Sequence, residues 1–152
     1  MKNDRLFSHD FPIENGEDIL KAKVNSAAWR DDFELELIPA RYEGEGLYKV
    51  MALPLITYGV NRHDIVEVSS NGIIVGVVSA SKHTGFRVLL YDHSLYEQII
   101  KSLVSVGADI EYNSHSFFGV DTESPKIAAK VEDILSNLQD GKKISFETTA
   151  SS

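Results

Sequence analysis

The 152-residue sequence predicts an α+β fold in which a curved antiparallel sheet or partial barrel is followed by a ferredoxin-like (split βαβ) unit. Three observations predict it. The first half alternates apolar and polar residues at period two, an Asn71-Gly72 pair separates two apolar runs, and residues 86–148 read in the order strand, helix, strand, strand, helix, strand. The chain therefore divides into an irregular N-terminal arm (1–18), an antiparallel β portion (19–85), the ferredoxin-like portion (86–148) and a short polar tail (149–152) expected to be mobile.

The arm carries Pro12 and Gly16 and shows no periodicity, although Phe7, Phe11 and Ile13 offer it apolar anchors. From Ile19, the residues Leu20, Ala22 and Val24 alternate with Lys21 and Lys23, as in a strand with one wet face. Phe33, Leu35 and Leu37 then alternate with Glu34 and Glu36, which predicts an inward apolar set, an outward carboxylate pair and a strand ending at Pro39. Gly44 and Gly46 mark a turn before a strand at residues 47–53 that Pro54 closes. Residues 64–69 and 73–79 flank Asn71-Gly72, whose tolerance of positive φ predicts a hairpin with a type I′ turn. The run Ile73, Ile74, Val75, Val77 and Val78 has no polar face, so that strand is expected to be buried on both sides.

The second half opens with the central-strand pattern Phe86-Arg87-Val88-Leu89-Leu90-Tyr91. Ser94 with Glu97 three residues later predicts a capping box, and Leu95, Ile99, Ile100, Leu103 and Val104 form one helix face that ends at Gly107. Two strands, 109–112 and 117–120, are joined by a polar loop. Ser124-Pro125 then opens a second helix with Ile127, Val131, Ile134, Leu135 and Leu138 inward and Gly141 at its end. Ile144 and Phe146 alternate with Ser145 and Glu147 in a last strand.

Composition narrows the function classes. A net charge of −8 repels phosphate backbones and anionic lipid, so neither a nucleic-acid nor a membrane partner is expected, and a basic partner is. The absence of cysteine removes disulfides and thiolate chemistry, and with no apolar run of spanning length the reading is a cytoplasmic protein. His9, His63, His83, His93 and His115 have no metal-ligand spacing, and Gly44-x-Gly46 lacks the context of a dinucleotide loop, so no metal and no cofactor are expected. No nucleophile elbow or Walker motif is present, and the expectation is a protein without enzymatic activity.

Two groups of residues could carry function. Ser81, His83, Thr84 and Arg87 lie at the junction of the two halves. His83 offers an acid or base, Arg87 an anion clamp and the hydroxyls further hydrogen bonds. The alternative for this group is structural, with Arg87 paired to a buried carboxylate. The second group, Trp29, Asp31, Asp32, Phe33, Glu34, Glu36 and Tyr42, combines carboxylates with aromatic anchors as a protein-binding face would.

Glu36-x-Ile38-x-Ala40, Gly46-Leu47-Tyr48, Pro54, Gly59-Val60, His63-Asp64-Ile65-Val66 and the run from Ser81 to Val88 resemble, in order and spacing, the bacterial family of domain of unknown function 4265, over about residues 24–146. The chain departs from that pattern at Pro39, where tryptophan is usual, and at His63 and Lys82, where glycine is. The resemblance implies a small bacterial protein and supplies no reaction. Small acidic proteins of this kind are often immunity partners of polymorphic toxins, which makes a cognate toxin domain with a basic face the expected partner. The competing expectation is a regulatory domain or enzyme for an anionic small molecule. A cleft lined jointly by Ser81, His83, Thr84 and Arg87 would favour it, and a closed surface there would favour the binding protein.

Overall fold

The computed structural model describes residues 5–24 and 32–149, and within them the chain is α+β. The front sheet contains β1 (Leu6–Ser8), β2 (Asp18–Lys23), β3 (Leu35–Gly44), β4 (Leu47–Val50), β5 (Ile65–Val68) and β6 (Ile74–Ser79). Its path runs β1-β3-β4-β5-β6, with β2 also paired to β3. A parallel bridge from Lys21 to Ile73, with Lys21 N donating to the Gly72 carbonyl at 2.9 Å, brings the start of β6 back to β2 and rolls the sheet into a partial barrel.

The rear sheet is the expected split βαβ unit. Its elements are β7 (Thr84–Leu90), α1 (Tyr96–Ser105), β8 (Asp109–Glu111), β9 (Phe117–Thr122), α2 (Pro125–Asp140) and β10 (Ile144–Thr148). The antiparallel order β10-β7-β9-β8 interleaves the two βαβ halves. Phe86, Val88 and Leu90 point to the helices and pack with Ile99, Leu103, Val131 and Leu135. The alternate residues of β7, Gly85 and Arg87, therefore face the front sheet.

Local chemistry explains most boundaries and some departures. Ser124 caps α2 by accepting from Ile127 N at 3.3 Å, with Pro125 in the first turn, as the sequence predicts. Ser94 does not cap α1. Asp92 instead accepts from Ser94 N and Ser94 Oγ at 3.1 and 2.6 Å, stabilising a 3₁₀ turn at His93–Leu95 that leads into the helix, so the Ser94–Glu97 capping box does not form. The Asn71-Gly72 hairpin forms with a different turn. Gly72 has φ of 82°, Asn71 is not at positive φ, and Gly72 N donates to the Ser69 carbonyl, giving a three-residue loop with glycine in the left-handed position rather than a type I′ turn.

Strand β3 overturns three expectations. It continues through Pro39, because one edge pairs with β1 at Leu35–Leu37 and with β4 only from Ala40, so the proline lies in the gap between the two ladders. Its inward residues are Glu36, Ile38 and Ala40, while Leu35 and Leu37 are only half-buried and Phe33 precedes the strand. The carboxylate of Glu36 therefore points into the protein. On β6, register shifts against β5 leave Val75 and Val78 without cross-strand partners, and these bulged residues are 65% and 57% exposed rather than buried between sheets. The strand expected at 47–53 stops at Val50.

Described residues near both termini pack where the sequence predicts an irregular arm and a mobile tail. The arm supplies β1, parallel to β3, and Phe7 packs with Leu55, Ile56 and Phe117. Thr149 is buried, with its N–H on the Gly85 carbonyl at 2.9 Å, so the tail does not begin there, and residues 150–152 lie outside the described residues.

Candidate functional site

The two sheets meet across a polar seam. On the rear sheet, Glu147, Arg87, Gly119 and Glu111 are successive cross-strand partners on the face toward the front sheet, and Gly85, Asp121 and Asp109 form a second such row. Residues 51–57 run between the sheets and are buried throughout. This segment belongs to no strand, so its backbone N–H groups need other acceptors. Glu111 Oε1 accepts from Leu53 N at 3.1 Å. Glu36 accepts from Leu55 N at 2.7 Å, from Ile56 N at 3.0 Å and from the Thr57 hydroxyl at 2.8 Å.

His9 bridges these two carboxylates, with Nε2 2.6 Å from Glu36 and Nδ1 2.8 Å from Glu111. Ionised carboxylates only accept, so this geometry calls for a proton on both ring nitrogens. Burial by itself would lower the pKa of His9, but the hydrogen bonds and charges of Glu111 and Glu36 outweigh it and push the imidazole up to about 9. Burial likewise opposes ionisation of Glu36, and the His9 hydrogen bond and charge, with the Leu55 N–H, hold it below the usual carboxylate range. The seam continues to Arg87, whose guanidinium donates to the Thr57 carbonyl, lies 3.6 Å from Glu147 and stands 4.7 Å over the Tyr58 ring.

A second constellation lies nearer the surface. Arg62 Nε donates to Asp121 at 3.0 Å and its Nη1 to Glu14 at 3.0 Å, while His83 Nδ1 is 2.8 Å from the same Asp121 oxygen and His63 Nε2 is 2.6 Å from Glu14. The His63 and His83 rings pack edge to face at 4.7 Å. Asp64 accepts from Asn61 N and Ser81 N at 2.8 and 2.7 Å, and the Ser81 hydroxyl donates to the Arg62 carbonyl at 2.8 Å, which fixes the loop carrying these groups. His63 has φ of 70°, the left-handed conformation that glycine adopts freely.

The four residues of the predicted ligand cluster thus separate. Ser81 and His83 join the Arg62–Asp121 network and Lys82 is exposed between them. The Thr84 carbonyl accepts from the Thr122 hydroxyl at 2.8 Å. Arg87, 1% exposed, faces Thr57 and Glu147. Of the predicted partner face, Trp29 and Asp31 lie outside the described residues, Asp32 is exposed, and Phe33 packs edge to face on Phe7 at 5.2 Å. Glu34 lies 3.9 Å from Arg5, Tyr42 is exposed in the β3–β4 hairpin, and Glu36 is fully buried and unavailable to a partner. His9, Glu14, Arg62, Glu111 and Asp121 carry no motif. Among the described residues, no group of three or more histidines and acidic residues is placed to hold a metal, and no helix is long and apolar enough to cross a membrane.

Comparison with known proteins agrees with this fold. A chain titled "Novel crystal structure of a hypothetical protein from Neisseria gonorrhoeae" superposes with a TM-score of 0.75 at 15% identity, covering 88% of this chain and 94% of that one. At that identity the likeness is one of fold. No curated protein matches the sequence. The family model for a domain of unknown function (DUF4265) matches residues 36–146, from the buried Glu36 to the last strand, and the chain belongs to that family.

Proposed function

We propose that this chain is a binding protein, an immunity factor that neutralises a toxin domain by direct contact. The observation that supports this reading is the position of Arg87. A guanidinium with 1% exposure, committed to Thr57 and Glu147, does not line an open cleft with His83. The net charge of −8 leaves an acidic protein suited to rapid capture of a basic face. The experiment is to express the C-terminal domain of a secreted protein encoded beside this gene, alone and with this chain. Rescue of growth together with a stoichiometric complex is the expected result, and toxicity unchanged by co-expression would sink the reading.

One observation favours a second reading, an anionic small-molecule site. His63 and His83 pack against each other beside Arg62, with carboxylates orienting both imidazoles. Such a site would rest on the two imidazoles, because Arg62 is itself buried and held by Asp121 and Glu14. Ligand binding or turnover by the wild type that His83→Ala abolishes, in a variant of unchanged stability, would replace the first reading with this one.

A further inference from the structure

The front sheet does not close completely. Past the bridge between Lys21 and Ile73, β2 and β6 run on in the same direction without further pairing, and among the described residues no strand covers the outer edge of β6. The gap holds a hollow of about 240 Å³ whose walls include Ala22 and Lys23 from β2 and Ile74, Val75 and Val77 from β6. Val75, Val77 and Val78 are 65%, 37% and 57% exposed, and a Cβ on Gly76 would meet nothing within 4 Å. An open strand edge carries unpaired N–H and C=O groups, and proteins ordinarily guard one with a charge or a proline in the strand. The bulges at Val75 and Val78 twist β6, but no charged residue and no proline lies between Glu67 and Lys82.

We propose that the β6 edge pairs antiparallel with the same edge of a second copy of this chain, across a two-fold axis between Gly76 and Val77. That register sets Val75 of each copy opposite the second copy's Val78, and Val77 opposite the second copy's Gly76. The exposed valines then meet one another, and the open space at each glycine receives a valine side chain. Charge selects this occupant. Two chains of net charge −8 repel each other over most of their surfaces, so a self-pairing edge must be one without carboxylates, as β6 is. Glu67 lies one strand back, on β5. Lys21 and Lys23, exposed on β2 beside the gap, attract an acidic copy. A basic partner finds no carboxylate on this strand and two lysines next to it. The pairing is therefore independent of the binding reading above, whose partner is basic.

Sedimentation equilibrium of the full chain, from micromolar to millimolar concentration, should show a monomer–dimer equilibrium. The β6 amides that face away from β5 should exchange fast in the dilute monomer and more slowly in the dimer. Val75→Lys should weaken the dimer at least tenfold, with its unfolding midpoint in dilute solution held as the check on folding. Because the chain has no cysteine, an equal mixture of Val75→Cys and Val78→Cys chains under mild oxidation reports the register, and disulfides joining the two variants should exceed their statistical share. A monomer at every concentration, a dimer that Val75→Lys leaves unaltered, or an excess of like-with-like disulfides would overturn the proposal. Slow exchange of the outward β6 amides in the dilute monomer would overturn it as well, since the chain itself would then cover the edge.

Discussion

His9 Nε2 lies 2.6 Å from Glu36 Oε2, and with side chains 1% and 0% exposed the two form a buried ion pair between the N-terminal arm and the centre of the front sheet. Because His9 Nδ1 also reaches Glu111, the imidazolium is the cation that lets two buried carboxylates face one another across the sheets. The pair is worth keeping intact rather than intrinsically stabilising, since desolvation offsets much of its attraction.

Removing that cation should therefore be severe. His9→Ala removes the cation between Glu36 and Glu111 in the interior and should destabilise the protein by about 3–5 kcal/mol. His9→Gln keeps a polar side chain of similar reach and should recover part of the loss. Urea denaturation measures both, and a His9→Ala midpoint equal to wild type would show that the seam does not depend on this residue.

The same contact sets a pH dependence. The pKa of His9 is raised from 6.5 to about 9, so its contribution is fully present below pH 6.5 and is lost as pH rises through about 9. A shift of that size corresponds to roughly 3 kcal/mol. Glu36 is lowered from 4.5, so its contribution is present above that value and is lost as pH falls through its depressed pKa. Stability should decline on both sides of a plateau lying between those two ordinary values, and the alkaline decline should be much reduced in His9→Gln. Unfolding midpoints measured across this range test both limbs.

Gly119 faces the buried segment from the middle of β9. A Cβ there would lie 2.7 Å from Leu55 Cδ2, 2.8 Å from Leu53 Cδ2 and 3.2 Å from Glu111 Cβ, and both leucines are fully packed. Gly119→Ala should destabilise by about 1–3 kcal/mol through overpacking. A second-site Leu55→Val should relieve part of the cost, and strict additivity in the double mutant would argue against the contact.

For the toxin partner, the exposed β3–β4 hairpin permits a kinetic test. Glu43→Lys with Glu45→Lys should slow association and reduce its salt dependence with little change in dissociation, whereas Tyr42→Ala should speed dissociation if its exposed ring anchors the complex. Rate constants unaltered in both variants would show that the partner docks away from this hairpin.

Much of the architecture was legible in the sequence because it depends on local chemistry. The order of elements in the rear unit, the Ser124-Pro125 start of α2 and the Asn71-Gly72 hairpin follow from periodicity, capping and turn residues within a few positions of one another. The structural alternative for Arg87 was legible as well, since a lone arginine in an apolar strand needs a carboxylate, here Glu147. What the tertiary structure decided was which way β3 faces. A period-two pattern allows two orientations, and the leucines of β3 suggested the wrong one. Its Glu36 turns inward because the segment at 51–57 brings unpaired N–H groups to that face and because His9, from the arm, supplies the opposite charge. His9 and Glu111 are 102 residues apart in sequence, a separation at which no local pattern carries information. Only the packing of the two sheets joins them.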